Sequence, residues 1–449
     1  MECTAGSRNS ERLANKIRDK ELFLSLILVH MILLTNGTYI NWQTLEFRKT
    51  DILVEEGVSG GIRFAPSPDD SGNARIIDCT GKYITKSFAN GHHHVYSALA
   101  RGMPAPKKNP ENFQEILQYI WWNLDKALDT DMIRSSALVT AIACAKNGVT
   151  FVIDHHASPF AVEGSLETIA LAFNEVGVGC LPCYEISDRD GLQTAQKGLD
   201  ETARFLSKRE GLVGLHASFT VGNETLKQAV QMAAQANSGI HIHVAEDKSD
   251  QDHCLKTYGM RVIDRLDKAG VLQFPKTILA HCLHLDDQER KLVEDSPVWV
   301  VENMESNLNN SVGFFNSNGL GGNIMLGTDG MHSDMLRSAK AAFFAGHNYD
   351  AIDYAGTYRR FRDVHRYLET NQFTGDGANN LVVLDYDSPT PVNAGNFFGH
   401  FLFGIESRHV THVISQGRLI CENGRMLTVD EDEILKISRT LSKSLWEKL

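Results

Sequence analysis

The sequence has no run of basic residues, and its formal net charge is −12. An acidic chain of this kind is a poor ligand for nucleic acid or for an anionic membrane surface. The sequence also lacks an apolar stretch of the roughly 18 residues that a membrane span needs. We therefore expect a cytoplasmic protein that acts on a small molecule and binds neither nucleic acid nor membrane.

The amino terminus has only part of the pattern of a signal peptide. Basic residues precede an apolar run at 22–34, but acidic residues interrupt them and no small-residue cleavage site follows. Residues 1–30 are therefore predicted to be an extension of uncertain structure, either an appended helix or the product of an upstream start.

Cysteines are scattered over the long chain, which indicates reduced thiols rather than a disulfide framework. Cys180 and Cys183 form a CxxC, but there is no second pair. Their segment is predicted to be a strand, where residues three apart point to opposite faces, so a zinc or redox site is not favoured there. The eight cysteines are Cys3, Cys79, Cys144, Cys180, Cys183, Cys254, Cys282 and Cys421.

The pattern of the chain changes twice. Residues 31–88 and 381–430 consist of short β-type runs broken by turn residues, which is typical of a small all-β unit. In residues 89–380, eight apolar runs that end in polar residues are separated by helical patterns, as expected for buried parallel strands. We predict an α/β protein with a (β/α)8 TIM-type barrel, a small β-sandwich built from the two flanking segments, and a C-terminal helix at 431–449.

Polar side chains cluster at the ends of these predicted strands. Buried strands rarely carry so many ionisable groups by chance, because an unpaired buried charge or imidazole costs free energy. In a barrel these ends converge on one mouth, where barrel enzymes carry their active sites. In strand order the residues are His92, His93 and His94; Asp154, His155 and His156; His216; His241, His243 and Glu246; His281 and His284; and Asp329.

The segment NGHHHVYSALARG contains three consecutive histidines. Because residues i and i+2 share one face of a strand, His92 and His94 can both point into the barrel, whereas His93 points towards the helices. His243 would add a third nitrogen and Asp329 an oxygen, a ligand set suited to a hydrolytic metal with an open position for water. A single strand histidine is more often a core residue, but several on separate strands favour a metal site.

These motifs, in this order, resemble those of the amidohydrolase superfamily and its aminohydrolase branch. The resemblance rests on NGHHH at the first strand, HVAE at the fifth, AHCLH at the sixth, ESNLNNSVG after the seventh and LGTDG at the eighth. Closer still is the similarity to the SsnA-like aminohydrolases, through segments such as WWNLDKALD, VIDHHASP and GTDGMHSDM. It extends over most of the chain after the first 30 residues.

The resemblance implies a metal-dependent aminohydrolase, a hydrolase of C–N bonds other than peptide bonds. Such an enzyme releases ammonia from a purine-, pterin- or pyrimidine-like heterocycle by attack of metal-bound hydroxide. Beside the four ligands, it implies Glu246 as proton shuttle, His281 in contact with the attacking hydroxide or substrate oxygen, and Asp329 as acceptor of the water proton. The fourth strand ends in LHASF without the lysine that bridges two metals in some relatives, so one divalent metal is expected, Zn²⁺ before Fe²⁺.

Five further residues are predicted to contact the substrate, and structural roles compete for most of them. His216 resembles the fourth-strand histidine that orients the substrate. Either His155 or His156 is predicted to line the substrate pocket, and the equal alternative is that they only hydrogen-bond a helix or loop. Trp122 would cover a flat ring, although core packing is the commoner role, and Asn307 would supply a polar group to the pocket.

Two places depart from the family pattern. Lys86 and Ser87 stand where the family usually has Pro-Gly, so the loop entering the first strand is expected to have a different shape. The sequence ANNL at 378–381 replaces the usual Ala-Asp-Leu and is expected to affect only the sandwich. Neither change removes a predicted ligand.

Two other classes of function compete with deamination. The same framework could open a cyclic amide or displace chloride, and product analysis for ammonia separates these reactions. A catalytically silent scaffold is the third reading, but its sign, the loss of a ligand, is not seen in the sequence. The sequence does not determine the exact substrate, the metal ion or the oligomeric state, for which a homodimer is one alternative.

Overall fold

The computed structural model describes residues 31–67, 70 and 72–449 of the chain. The predicted extension at 1–30 lies outside the described residues. Within the described part, no helix combines the length and the apolar composition that crossing a bilayer requires. The seven cysteines in this part are free thiols.

Strands and helices alternate along most of the described chain. In chain order, strands β1 to β19 span Ile32–Thr35, Thr38–Ile40, Phe47–Lys49, Ile52–Val54, Ile62–Phe64, Arg75–Asp78, Tyr83–Lys86, Phe88–His93, Val149–His156, Gly179–Tyr184, Val213–Ala217, Ile240–Val244, Ile278–His281, Trp299–Glu302, Ile324–Leu326, Leu381–Leu384, Val410–Ser415, Arg418–Glu422 and Arg425–Met426. The α-helices span Phe113–Ile116, Trp122–Ala127, Thr130–Lys146, Ser165–Val176, Leu192–Leu206, Asn223–Gln235, Lys248–Tyr258, Val262–Lys268, Asp287–Glu294, Met304–Asn309, Met335–Tyr349, Tyr354–Thr370, Phe397–Phe403 and Glu431–Trp446.

Segments from both ends of the chain share one sheet. Its order is β19-β18-β17-β16-β7-β2-β3, with β16 antiparallel to β7. A second sheet has the order β5-β4-β1-β6. Leu34 and Ile52 of the smaller sheet belong to one apolar cluster with Ile84 and Val383 of the larger sheet, as in two sheets packed face to face. The domain bounds given above stay a prediction.

The polar residues of interest lie on eight parallel strands. These form two sheets, β10-β9-β8 and β11-β12-β13-β14-β15. Isolated parallel bridges join His93 to Asp329 and Ile186 to Leu215, so the two sheets are linked at both of their ends. Every residue of β9 and β12 is buried, as expected for parallel strands covered on both faces. The mixed α/β class is confirmed, and each of the eight apolar runs contains one of these strands.

Lys86, one of the departures from the family pattern, lies in a buried polar junction. Its Nζ is 2.7 Å from Asp376 Oδ1 and donates to the carbonyl oxygen of Gly377 at 2.7 Å. His365 Nδ1 lies 2.6 Å from the other carboxylate oxygen of Asp376. Burial opposes ionisation of Asp376, but His365 and Lys86 outweigh it and lower the pKa of that carboxyl to about 2. The junction ties the end of β7 to the loop before β16.

The ANNL segment also reaches the parallel strands. Asn380 Nδ2 donates to Thr150 Oγ1 on β9 at 3.2 Å, and the same hydroxyl is 2.6 Å from Ser87 Oγ. The expectation that this segment affects only the small sheets is therefore wrong. The physical reason is that the loop before β16 crosses the end of β9, and both polar side chains are buried there.

We expect Lys86→Met to lower the free energy of unfolding by about 3–5 kcal/mol, because it leaves the buried Asp376 carboxylate without its cation. Urea denaturation followed by far-UV circular dichroism measures the change. Lys82→Met is the matched control, since Lys82 Nζ is 3.7 Å from a largely exposed Asp385 carboxylate, a pair worth about 0–1 kcal/mol. Equal losses in the two variants would contradict a stabilising role for the junction.

Candidate metal centre and active site

The four predicted ligands lie together at the carboxyl ends of the parallel strands. His92 is in β8, His94 follows it, His243 is in β12 and Asp329 follows β15, and all four side chains are buried. His94 Nε2 is 3.1 Å from His243 Nε2 and 3.0 Å from Asp329 Oδ1. The same carboxylate oxygen is 3.4 Å from His92 Nε2. Strand alternation therefore places His92 and His94 on the same side, as expected.

The ring nitrogens of His94 and His243 indicate that the cluster fits a cation. His94 Nδ1 is 2.7 Å from the carbonyl oxygen of His155, and His243 Nδ1 is 2.8 Å from that of His216. A carbonyl oxygen only accepts, so Nδ1 carries the proton in each neutral ring and Nε2 carries the lone pair. With both rings neutral, two lone pairs point into this 3.1 Å gap, and in the metal-free site a second proton on His94 fills it. A divalent metal in place of that proton would be coordinated by both nitrogens, and backbone carbonyls typically orient ligating histidines in this way.

Two more histidine nitrogens point into the cluster without a hydrogen-bond partner, His92 Nε2 and His281 Nε2. His281 is oriented by Asn307, whose Oδ1 lies 2.7 Å from its Nδ1. Ligand atoms of His92, His243, His281 and Asp329 all lie within 4.8 Å of one another. His281, predicted to contact the attacking oxygen, is therefore also within reach of a metal held by the other residues.

The cluster favours positive charge. Burial would lower the pKa of His94, but the Asp329 carboxylate outweighs it and raises this pKa to about 9. Burial would likewise raise the pKa of Asp329, but its contacts with His92 and His94 outweigh burial and hold it well below its usual range. An ionised carboxylate that holds a proton on a neighbouring histidine also attracts a divalent cation, which displaces that proton on binding.

The chain turns sharply where it delivers two of these side chains. Asp329 has φ 52° and His281 has φ 73°, in the left-handed region that residues other than glycine rarely adopt. The backbone N–H of Asp329 donates to the carbonyl oxygen of His92 at 3.0 Å, which fixes the turn against β8. Gly91 allows this approach, since a Cβ there would lie 2.8 Å from the carbonyl oxygen of Leu326. Strained backbone of this kind concentrates at functional sites.

Hydrogen bonds connect the two carboxylates predicted to carry protons. Ser306 Oγ donates to Asp329 Oδ2 at 2.5 Å, and Asn310 Nδ2 is 3.4 Å from Ser306 Oγ. Asn310 also hydrogen-bonds Glu246, and burial raises the pKa of Glu246 to about 7. Glu246 Oε2 lies 3.5 Å from His281 Nε2. A carboxyl with a pKa near neutrality can both give and take a proton under physiological conditions.

The predicted substrate residues divide into two groups. His216 and Trp122 line the cavity above the cluster, with their rings edge to face at 6.2 Å. His155, His156 and Asn307 are fully buried and do not line it. His155 and Asn307 instead contact side chains at the site, namely Glu185 Oε2 at 3.2 Å and His281 at 2.7 Å. His156 Nε2 lies 2.9 Å from Ser158 Oγ, which is a local contact.

The neighbouring histidines have supporting positions. His93 Nδ1 lies 2.6 Å from the carbonyl oxygen of Asp329, away from the ligand cluster. His241 Nε2 is 2.9 Å from His92 Nδ1, so His241 lies behind a ligand. His332 Nε2 lies 2.5 Å from Glu305 Oε2 in the loops at the mouth.

The cavity contains residues that the sequence analysis did not single out. Its walls include the aromatic rings of Tyr96, Phe113 and Trp121, and Glu185 contributes a carboxylate besides those of Glu246 and Asp329. No lysine or arginine is among the lining residues. The sequence did contain a signal for Glu185, because it is a polar residue at the carboxyl end of an apolar run, as the predicted ligands are.

The match to a family model covers most of this framework. Residues 83–360 match the model of the amidohydrolase family. The chain is 27% identical over 385 residues to a 5'-deoxyadenosine deaminase of Methanopyrus kandleri, covering 81% of this chain and 86% of that protein. It is 25% identical over 398 residues to a 5-methylthioadenosine/S-adenosylhomocysteine deaminase of Thermoanaerobacter pseudethanolicus, covering 83% and 90%. The chain belongs to the amidohydrolase family.

Solved structures share the same fold. An adenosine deaminase from Xanthomonas campestris with bound zinc superposes with a TM-score of 0.79 at 19% identity, covering 92% of this chain and 98% of the other. Atrazine chlorohydrolase TrzN from Arthrobacter aurescens TC1 in complex with zinc gives a TM-score of 0.77 at 17% identity, covering 92% and 100%.

Proposed function

We propose that this chain is a metal-dependent aminohydrolase that releases ammonia from a neutral purine-, pterin- or pyrimidine-like heterocycle. The observation that carries the proposal is the pair of Nε2 atoms of His94 and His243, which face each other at 3.1 Å, with Asp329 beside them and Glu246 at the edge of the same cavity. The two relatives named above, which are deaminases of adenine nucleosides, support ammonia as the leaving group.

The proposal includes a closed (β/α)8 barrel over residues 89–380, flanked by a sandwich built from residues 31–88 and 381–430. The two bridges that link the parallel sheets at both ends support closure. It also includes one divalent metal, Zn²⁺ before Fe²⁺, held by His92, His94, His243 and Asp329. The histidine and carboxylate donor set suits both ions, and zinc-bound structures of the same fold favour zinc.

When bound, a divalent metal makes water acidic enough to act as a nucleophile at neutral pH. Asp329 Oδ2, held by Ser306, takes the proton of the attacking water. Glu246 delivers a proton to the ring nitrogen or to the departing amine. Asn307 Oδ1 lies against His281 Nδ1 and so directs His281 Nε2 towards the cluster, 3.5 and 3.8 Å from the carboxylates of Glu246 and Asp329. Through this nitrogen His281 would contact the oxygen under attack.

The test is an ammonia assay on metal-analysed protein loaded with Zn²⁺ or Fe²⁺. The panel contains adenine-, guanine-, cytosine- and pterin-type compounds, their nucleosides, and AMP. We expect ammonia from at least one neutral class and none from AMP, because no lysine or arginine lines the cavity to hold a phosphate. Absence of ammonia from every compound in both metal forms would contradict the proposal, as would ring opening without ammonia release.

A further inference from the structure

Glu185 has no part in the metal set or in the proton transfers proposed above. It directly follows β10, its backbone N–H donates to the carbonyl oxygen of His156 at 2.7 Å, and the residue is 7% exposed. Its carboxylate nevertheless lines the active cavity. A buried carboxylate costs free energy unless it is paired, so the groups that surround Glu185 indicate its role.

The histidines around Glu185 leave hydrogen-bonding capacity unused. Glu185 Oε2 is 3.2 Å from His155 Nδ1, which makes no hydrogen bond of acceptable geometry, and Oε1 is 4.0 Å from His216 Nε2. His155 Nε2 lies 3.1 and 3.2 Å from two backbone carbonyl oxygens, to which it donates. Burial opposes ionisation, but His216, His155 and His94 outweigh it and hold the pKa of Glu185 well below its usual range. An ionised carboxylate with room for donors therefore faces the cavity.

Glu185 and Glu246 approach the ligand His243 beside different histidines. The ring of His243 has those of His216 and His281 as neighbours, with centroids 5.7 and 5.6 Å away. Glu185 is on the His216 side, and Glu246 is on the His281 side. A planar substrate above His243 would thus present one edge to each carboxylate, between the aromatic walls of the cavity.

The short distance between Glu185 and the ligand cluster determines which part of the substrate Glu185 contacts. Ligand atoms of Glu185, His216 and His243 lie within 4.8 Å of one another. A substrate whose reacting carbon sits over the metal therefore places its own ring atoms against Glu185. A sugar or thioether tail, which extends away from the reacting ring, lies farther out.

Resting on the proposed function, we propose that Glu185 is a specificity-determining residue. Its carboxylate accepts hydrogen bonds from ring N–H groups on a different edge from the one that Glu246 protonates. The substrate class is a planar heterocycle with lactam-type or amidine-type N–H donors on that edge, rather than a ring with lone pairs alone. A site built to hydrogen-bond a substrate group strongly rejects the analogue that lacks it.

The experiment compares each substrate with its analogue methylated at one ring N–H, in wild type, Glu185→Gln and Glu185→Asp. We expect kcat/KM of Glu185→Gln for the N–H substrate to fall about 10- to 100-fold, since hydrogen bonds to charged groups contribute about 1.5–3 kcal/mol. The wild type discriminates between the paired compounds, and Glu185→Gln loses most of that discrimination. Glu185→Asp keeps the charge and retains part of it. Asp154→Asn, a buried carboxyl outside the cavity whose Oδ1 accepts from Val95 N–H, is the control and retains wild-type selectivity.

Three outcomes would overturn the assignment. Equal losses of kcat/KM on both members of each pair would make Glu185 merely structural. A loss confined to nucleosides would assign it to sugar hydroxyls, and a fall in metal content of Glu185→Gln would make it a ligand. If the wild type releases no ammonia at all, the proposed function fails separately. In that case, calorimetry still measures how tightly wild type and Glu185→Gln bind the N–H compounds and their methylated analogues. Loss of the affinity difference in Glu185→Gln would support the assignment.

Discussion

Replacing Glu246 with Gln lowers kcat about 10²- to 10⁴-fold and leaves the metal content at the wild-type level. The amide has nearly the same shape but cannot give or take a proton, so only the general acid–base contribution is removed. Glu246 is not among the proposed ligands, and burial places the pKa of its carboxyl near 7, where proton exchange is most effective. Initial rates of ammonia release, together with metal analysis of the same samples, measure both quantities.

Asp247→Asn is the matched control for this variant. Asp247 is adjacent to Glu246 and caps the helix Lys248–Tyr258 through its Oδ1, which accepts from Ser249 N–H at 2.9 Å. Asn is an equally good cap, so turnover should stay near the wild-type value. Wild-type turnover in Glu246→Gln would refute its role, and loss of metal in that variant would make Glu246 a ligand instead.

The ligand cluster illustrates what the sequence alone can predict. The two-residue period of a strand places His92 and His94 on one face and His93 on the other, which needs no knowledge of the rest of the chain. Their convergence with His243 and Asp329 requires the additional assumption that the parallel strands meet at one mouth. Both steps are simple because they depend on regular geometry rather than on loop conformation.

Other parts of the site depend on contacts that no spacing predicts. Whether His155 or Glu185 lines the cavity depends on the side-chain packing at adjacent strand ends, and both follow apolar runs in the same way. Asn307 has the residue type of a pocket lining, yet its amide orients His281. The burial of Lys86 is likewise not predictable from spacing, because its partner Asp376 lies 290 residues away along the chain.

The tautomers of His94 and His243 are the least accessible feature from sequence. Each is set by a carbonyl oxygen of a neighbouring strand, that of His155 or His216, and therefore by the register of parallel strands. The same backbone contacts that stabilise the strand ends thus aim two lone pairs at one point. Fold stability and metal affinity are coupled here, since ligand orientation comes from the backbone rather than from flexible side chains.

This coupling predicts different effects for two histidines of β12. His243→Ala removes a lone pair from the cluster and should abolish metal binding and ammonia release. His241→Ala removes only the group behind His92, at 2.9 Å from its Nδ1, and should weaken metal affinity about 10- to 100-fold. Treating the wild type with a chelator should make it as inactive as His243→Ala. Adding Zn²⁺ should then restore the activity of the wild type but not that of His243→Ala.

Thermal unfolding separates loss of metal from loss of fold in these variants. A metal that binds only the folded state stabilises it by about 2.7 kcal/mol at a concentration of 100 Kd. We therefore expect Zn²⁺ to raise the Tm of the metal-free wild type. At limiting Zn²⁺ the rise should be smaller for His241→Ala, and the Tm of His243→Ala should not change. The wild type keeps every proposed ligand, so it gains most when the cation enters. A Zn²⁺-dependent rise of wild-type size in His243→Ala would place the metal elsewhere.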